Sequence, residues 1–203
     1  MINNKSELQY YLEADRIISG RKNNFSRFVI FPLFIDPIGK FLYLLRMVEY
    51  YENQHKSYRR FISFYYKLRF KRIGLKLGFS IPPNVFGPGL YIPHYGTIVV
   101  NQNAKIGKNC VLHTQVCIAG NDIKIIGDNA YISTGVVITG LVNLGNDISI
   151  ASNSLVNKSF NENSILLGGT PAKKLKNRDS WFKLDGKVFA NRINKIENLS
   201  RTK

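Results

Sequence analysis

Side chains that build disulfide frameworks, metal centres or acidic surfaces are scarce in this chain of 203 residues, which holds two cysteines, three histidines and 13 acidic residues. Cys110 and Cys117 lie close together in the chain; two thiols make no disulfide framework, and they point to a reducing compartment. Long apolar runs are missing too. The most apolar stretch, residues 28–35, contains Pro32 and stops at Asp36, far short of the roughly 20 residues that cross a bilayer. Residues 1–13 are polar and lack the apolar segment of a signal peptide, so the expected location is the cytoplasm.

Acids are outnumbered by 29 Lys and Arg residues, giving a net charge of +16. The excess is not uniform. Residues 80–156 hold three cations (Lys105, Lys108, Lys124) against three acids (Asp122, Asp128, Asp147), whereas residues 56–76 hold eight cations and no acid. Residues 158–203 hold eleven cations against four acids. A nucleic-acid binder would carry its charge on the recognition element together with a known motif. The neutral middle of this chain has neither, so no nucleic-acid partner is expected. A hydrophobic content of 44% is enough for a core without staples.

What the chain has in plenty is a six-residue beat. Aliphatic residues stand at Val100, Ile106, Leu112 and Ile118 and, after two extra residues, at Ile126, Ile132, Ile138, Leu144, Ile150 and Val156. Small or aliphatic residues follow most of them four positions later, at Ala104, Cys110, Val116, Ala130, Val136, Val142, Ile148 and Ser154. An α-helix repeats about every 3.6 residues and a strand every two, so neither sustains this pattern. A β-sandwich would show turns about every 8 to 12 residues. A hexapeptide β-helix fits: each hexad is a short strand and a turn, and three hexads close a triangular coil of about 18 residues that stacks on the next. Gly107, Asn109, Gly127, Asn129, Gly145 and Asn153 are expected at corners needing positive φ.

Upstream, residues 6–19 read as a helix with Ser6 and Gln9 as a capping box, ending at Gly20. An aromatic-rich segment covers 21–35. A third spans 37–54, with Ile38, Phe41, Leu42, Leu45 and Val48 at helical spacing behind Pro37. The fourth, 57–77, sets Phe61, Phe64, Tyr65 and Leu68 on one face among basic residues. Such a stripe is more often core, yet a basic aromatic helix also suits an anionic membrane surface, which would put the protein at the inner face of the membrane. The expected organisation is a helical region over 1–78, a β-helix over 79–176, and a basic amphipathic tail over 177–203, helical or partly ordered.

His55 lies between two helices and reads as a surface residue. His94 stands where the beat calls for an aliphatic, and His113 follows one coil plus one position later. Stacked strands lie roughly 4.8 Å apart, so the two imidazoles are expected along one edge. Histidine suits proton transfer from a hydroxyl near neutral pH. A satisfied structural histidine is the plainer alternative.

The run Gly87-Pro-Gly-Leu-Tyr-Ile-Pro-His94-Tyr-Gly-Thr-Ile-Val-Val-Asn101 and the run Gly169-Thr-Pro-Ala-Lys173 resemble the catalytic-histidine and closing motifs of hexapeptide-repeat acyltransferases. The branch they resemble is that of serine acetyltransferases and of their relatives that O-acetylate capsular or exopolysaccharide sugars. The resemblance covers somewhat under half the chain. It implies a left-handed parallel β-helix, mainly β and preceded by a small α-helical region, a homotrimer or higher assembly with sites between subunits, and acetyl-CoA as donor without a metal. Carried onto these positions, His94 falls on the general base, and His113 orients it or binds the acceptor. Tyr95 and Asn101 fall near the acceptor. The pantetheine arm maps to Ala119, Gly120, Ser133, Thr134, Gly135 and Ser152, and the adenosine phosphates to Gly169, Pro171, Ala172, Lys173 and Lys174. Lys176 lies beside them. Small residues at those places also serve coil turns. Cys117 as an acyl-enzyme nucleophile is the runner-up mechanism.

The chain departs from the serine acetyltransferase pattern at Pro93, where an aspartate precedes the histidine, and at Phe79 or Ser80, where another lies. A further histidine of that pattern falls near Ile123. The first two changes remove groups suited to a zwitterionic amino acid and to orienting the base, and turn the expected acceptor towards a sugar hydroxyl of a surface polysaccharide. Serine O-acetyl transfer is the alternative. A zinc-dependent β-helix needs three histidines, and the repeat holds two; a non-catalytic scaffold is the other class.

Overall fold

The computed structural model describes residues 1–21, 36–54, 59–184 and 186–201. The segment expected over 21–35 lies outside these apart from Arg21, as do His55 and the first residues of the fourth expected helix. The first helix, α1 (Lys5–Ile18), is capped by Asn4 and not by Ser6. The Asn4 side chain accepts from Glu7 N at 2.8 Å, and Glu7 reaches back to Asn3 N at 2.6 Å. Asn4 and Glu7 thus satisfy two backbone donors at this helix start, though Glu7 reaches the residue before the cap and not the cap itself. The helix α2 (Pro37–Glu52) is capped by Asp36 with Pro37 in its first turn, and α3 (Arg59–Leu77) ends at Gly78, where φ is +78°.

The beat forms a parallel β-solenoid. Its strands are β1 (Phe79–Ser80), β2 (Ile98–Val100), β3 (Ala104–Ile106), β4 (Val111–Leu112), β5 (Val116–Ile118), β6 (Lys124–Ile126), β7 (Tyr131–Ile132), β8 (Val137–Ile138), β9 (Val142–Leu144), β10 (Ser149–Ile150), β11 (Leu155–Val156), β12 (Ile165–Gly169) and β13 (Ala172–Asn177). They stack as three faces: β1-β2-β5-β8-β11, then β3-β6-β9, then β4-β7-β10-β12 closed by the antiparallel β13. Ile98 lies opposite Val116, one regular coil on. Cys117 lies opposite Val137, a longer coil that absorbs the two extra residues after Ile118. Every aliphatic residue of the beat from Val100 to Val156 is at most 4% exposed. Ala104 and Ile106 show why two slots recur: they are the two inward positions of one three-residue strand, with Lys105 pointing out.

The corner residues fall into two groups. Asn109, Asn129 and Asn153 do take positive φ, joined by Asp147. Gly107, Gly127 and Gly145 do not; they are glycine because a Cβ on each would stand 2.4–2.8 Å from backbone of the next coil. Stacking distance, not dihedral angle, excludes side chains there.

The helices close one end of the solenoid. Ile38, Phe41, Leu42 and Leu45 of α2 join Leu77, Phe79 and Ile81 in the same core as the beat. Beneath them lies a fully buried Arg46, which ion-pairs with Asp15 at 2.8 Å and Glu49 at 2.9 Å and donates to Phe86 O and Gly87 O. Asp15 in turn accepts from Gly89 N and Leu90 N at 2.8 Å, so α1 and α2 grip the loop leading to the first full coil. Burial alone lowers the guanidinium pKa, but the charges and hydrogen bonds of Asp15 and Glu49 outweigh it and hold it above its ordinary value.

On α3 the stripe of Phe61, Phe64, Tyr65 and Leu68 is exposed, not core. The opposite face does the packing: Phe70 stacks on Phe41 at 5.0 Å and Tyr66 on Tyr51 at 5.4 Å. Both faces of this helix are apolar, and only one is covered. The chain after β13 is ordered as α4 (Trp181–Leu184) and α5 (Lys187–Arg201). Trp181, Ile193 and Ile196 pack with Ala14 and Ile18 of α1 over Val111, Tyr91 and Tyr131. No described helix is long and apolar enough to cross a membrane.

Candidate active site

His94 is not in the core register that the beat alone implies. Ile92 fills that slot at 0% exposure, and two additional residues at the following corner carry His94 out into solvent. The expectation fails because the count runs backwards from Val100 across an insertion. The corner loop is held by backbone. Gly96 N donates to Leu77 O at 3.0 Å and Ile98 N to Gly78 O at 2.9 Å, so the end of α3 pins it from one side. From the other side Gln115 N donates to Thr97 O at 2.6 Å. Gly96 has φ of +144°, and a Cβ there would stand 3.1 Å from Thr114.

The same corner continues up the solenoid. Gly135 N donates to Thr114 O, Asn153 N to Thr134 O, and Thr170 Oγ1 to Asn153 O. His94, Tyr95, His113, Ser133, Thr134, Gly135, Ser152, Gly169 and Pro171 therefore fall along one column of the solenoid. No Asp or Glu occurs at positions 93–97, 113–115, 133–135, 151–153 or 169–171. Gly169, at φ of +102°, shapes the turn from β12 into β13, its N–H facing Ser154 Oγ at 3.3 Å. Ala172 is buried, and Lys173 and Lys176 are exposed. Lys174 is ion-paired with Glu162, which offsets one of the charges expected to meet phosphates.

Asn101, Ala119 and Gly120 lie elsewhere, on the corner beyond the β2-β5-β8 face. Asn101 N donates to Ile118 O and Ala119 N to Ile138 O, so these residues stack with each other and not with the histidines. The loop they open is organised by Lys124, which is fully buried and donates to Gly120 O at 2.8 Å and Asp122 O at 2.7 Å. Its inward place follows from pairing between Ala104 and Val142. Its charge is counted in the neutral middle of the chain, and only its phase two positions before Ile126 signals its inward place.

His113, half-buried, has a partner that the sequence reading missed. Its Nε2 lies 2.9 Å from the hydroxyl of Tyr131, one coil further along the chain. Tyr131 packs in turn near Trp181, with ring centroids 6.2 Å apart. Burial lowers the His113 pKa below its ordinary value, and the charge of His94 lowers it further. The folded protein therefore binds fewer protons at this site than the unfolded chain once pH falls below about 6.5, so stability falls as pH drops through that window. Urea midpoints measured from pH 7 down to pH 5 are expected to fall, and to fall less in His113→Gln; an unchanged slope in that variant would refute the assignment.

Burial pushes the Cys110 thiol pKa up, as its inward slot requires. Cys117 points outward between Val99 and Val137 on the face between the two corners. No group of three His, Cys, Asp or Glu placed to hold a metal ion occurs among the described residues.

No protein-family model matches the chain. A stretch of 93 residues is 24% identical to a serine acetyltransferase of Mycobacterium tuberculosis strain H37Rv, covering 43% of this chain. The match spans about two fifths of that relative, 41% of its length. Among solved structures, a serine acetyltransferase in complex with CoA superposes with a TM-score of 0.65 at 19% identity, over 84% of this chain and 71% of that one. The Neisseria gonorrhoeae serine acetyltransferase in complex with serine does so with a TM-score of 0.59 at 20% identity, over 85% and 70% of the two chains. At these identities the likeness is one of fold.

Proposed function

We propose that this chain is an acetyl-CoA-dependent O-acetyltransferase working by direct transfer at the histidine corner. The carrying observation is the column itself: an exposed imidazole on a corner loop held rigidly by backbone bonds, with a second, Tyr131-bonded imidazole one coil away. His94 takes the acceptor hydroxyl proton as the oxygen bonds to the thioester carbonyl carbon. The carbon–sulfur bond then breaks, and the imidazolium returns that proton to the leaving thiolate. His113, whose pKa burial and His94 both lower, orients the acceptor or its neighbour imidazole. Ser133, Thr134, Gly135 and Ser152 line the pantetheine path, and Lys173 meets the adenosine phosphates.

Asn101, Ala119 and Gly120 fit this reading in a trimer. Between their corner and the histidine corner runs an outward apolar column, Val99, Cys117, Val137 and Leu155. Packing such a face against a neighbour would set one chain's histidines against another chain's Gly120 corner.

The relatives' names support L-serine as the acceptor, and this is the first reading. A sugar hydroxyl is the second, favoured by one observation: the chain's own corner carries no carboxylate to receive an amino acid's ammonium group. Release of free CoA thiol from acetyl-CoA, followed with serine and with nucleotide-linked and oligomeric sugars, distinguishes them. Turnover with serine supports the first, turnover with a sugar alone the second. No turnover with any hydroxyl acceptor refutes the enzyme.

A further inference from the structure

The uncovered face of α3 goes beyond that reading. Phe61 is 84% exposed, Phe64 62%, Tyr65 52%, Leu68 48% and Leu75 84%. They follow the helical spacing of one stripe, i, i+3, i+4, i+7 and i+14, which lies along a single side of the helix. Exposure on this scale marks an interaction surface. The stripe is not what holds the helix in place, because Tyr66, Phe70 and Ile73 on the other side pack against the helices and core. Lys67 adds an ion pair to Glu52 at 2.6 Å.

Cations border the stripe and interrupt it, Arg72 standing on the same side of the helix between Leu68 and Leu75. Lys71 and Arg72 lie beside Leu68 and Leu75, and Lys76 follows; all three are exposed and make no ion pair among the described residues. Arg69 lies over the Tyr65 ring at 5.4 Å. Across residues 56–76 there are eight cations and no acid. A second copy laid on this face would bring like charges together. A nucleic acid would gain nothing from five apolar side chains pointing at its phosphates. An anionic bilayer satisfies both features at once: aromatic and leucine side chains enter the boundary between headgroups and acyl chains while Lys and Arg meet the headgroups. We propose that α3 docks this protein peripherally on an anionic lipid surface, with Phe61, Phe64, Tyr65, Leu68 and Leu75 as the inserted stripe.

The test is co-sedimentation of the full chain with vesicles of equimolar phosphatidylglycerol and phosphatidylcholine, against vesicles of phosphatidylcholine alone. Partitioning is expected to favour the anionic vesicles by about tenfold or more and to weaken as salt is raised. Lys71→Gln with Arg72→Gln should weaken it by roughly tenfold or more. Phe61→Ser with Phe64→Ser should weaken it by at least about tenfold. Because these side chains face solvent, both variants are expected to keep the wild-type melting transition. Equal binding to both vesicles, or none, overturns the proposal. So does a stripe variant that splits a larger assembly into smaller ones in light scattering without changing lipid binding, which would assign the face to a second copy. None of these readouts depends on acetyl transfer.

Discussion

Replacing His94 with alanine is expected to lower acetyl transfer by about 10²- to 10⁴-fold, the span that a positioned general base contributes, while leaving the unfolding transition in place. The structure separates the two effects. The corner loop is fastened through Gly96 N, Ile98 N and Thr97 O, all backbone groups, and the neighbouring core slot is filled by Ile92. Removing an exposed imidazole disturbs neither, and such surface changes stay within about 0.5 kcal/mol. The measurement is CoA thiol release at saturating acetyl-CoA, with circular dichroism melting alongside. A scaffold predicts no change in either. Turnover within a few-fold of wild type would move the base to His113 or remove the proposed mechanism. His113→Ala is expected to cost less, since His113 is tied to Tyr131 and sits deeper in the corner.

The second large effect is on stability. Arg46→Met is expected to cost about 3–5 kcal/mol, because it strands buried carboxylates without their counter-charge. Asp15 and Glu49 are 5% and 1% exposed at their side chains and would have to ionise unpaired or take up protons. Domains are stable by only about 5–15 kcal/mol, so the variant sits near the unfolding threshold. The damage spreads further, since Asp15 also holds Gly89 N and Leu90 N, and Glu49 holds Asn84 N at 2.8 Å. Lysine is a poor substitute, as one ammonium cannot span two carboxylates and two carbonyls as the guanidinium fork does. Urea denaturation reads the result, and a shift worth under about 1 kcal/mol would contradict the network's importance. Replacing Arg46, Asp15 and Glu49 together with apolar residues of similar size should recover part of the loss.

Much of the solenoid is legible residue by residue. From Val100 to Val156 the aliphatic slots, the paired small slots and the insertion after Ile118 all match the observed stacking. That legibility has a simple cause. Each coil contacts its neighbours at a nearly constant separation along the chain, as Ile98 does Val116 and Cys117 does Val137, so position in sequence maps directly to position in space. The same reasoning brings His94 and His113 to one corner. It fails where a second insertion before Ile98 shifts the phase, taking His94 out of the slot that Ile92 occupies.

Contacts that close over long separations are not legible. Arg46 on α2 reaches back to Asp15 on α1 and forward to Gly87 before the first full coil, and nothing in its own helix distinguishes it from a surface arginine. Arg192 of α5 donates to Ile18 O near the opposite end of the chain, and Trp181 joins α1 over Tyr131 in the same way. The apolar stripe of α3 resembles a core stripe in sequence, and only the packing of its other face shows it to be outside. Local periodicity and short-range stacking are written in the order of residues, because each coil repeats the chemistry of the last. Which helix face is covered, which charges meet in the interior and what stands beside His113 depend on where distant segments come to rest, and there only the tertiary structure decides.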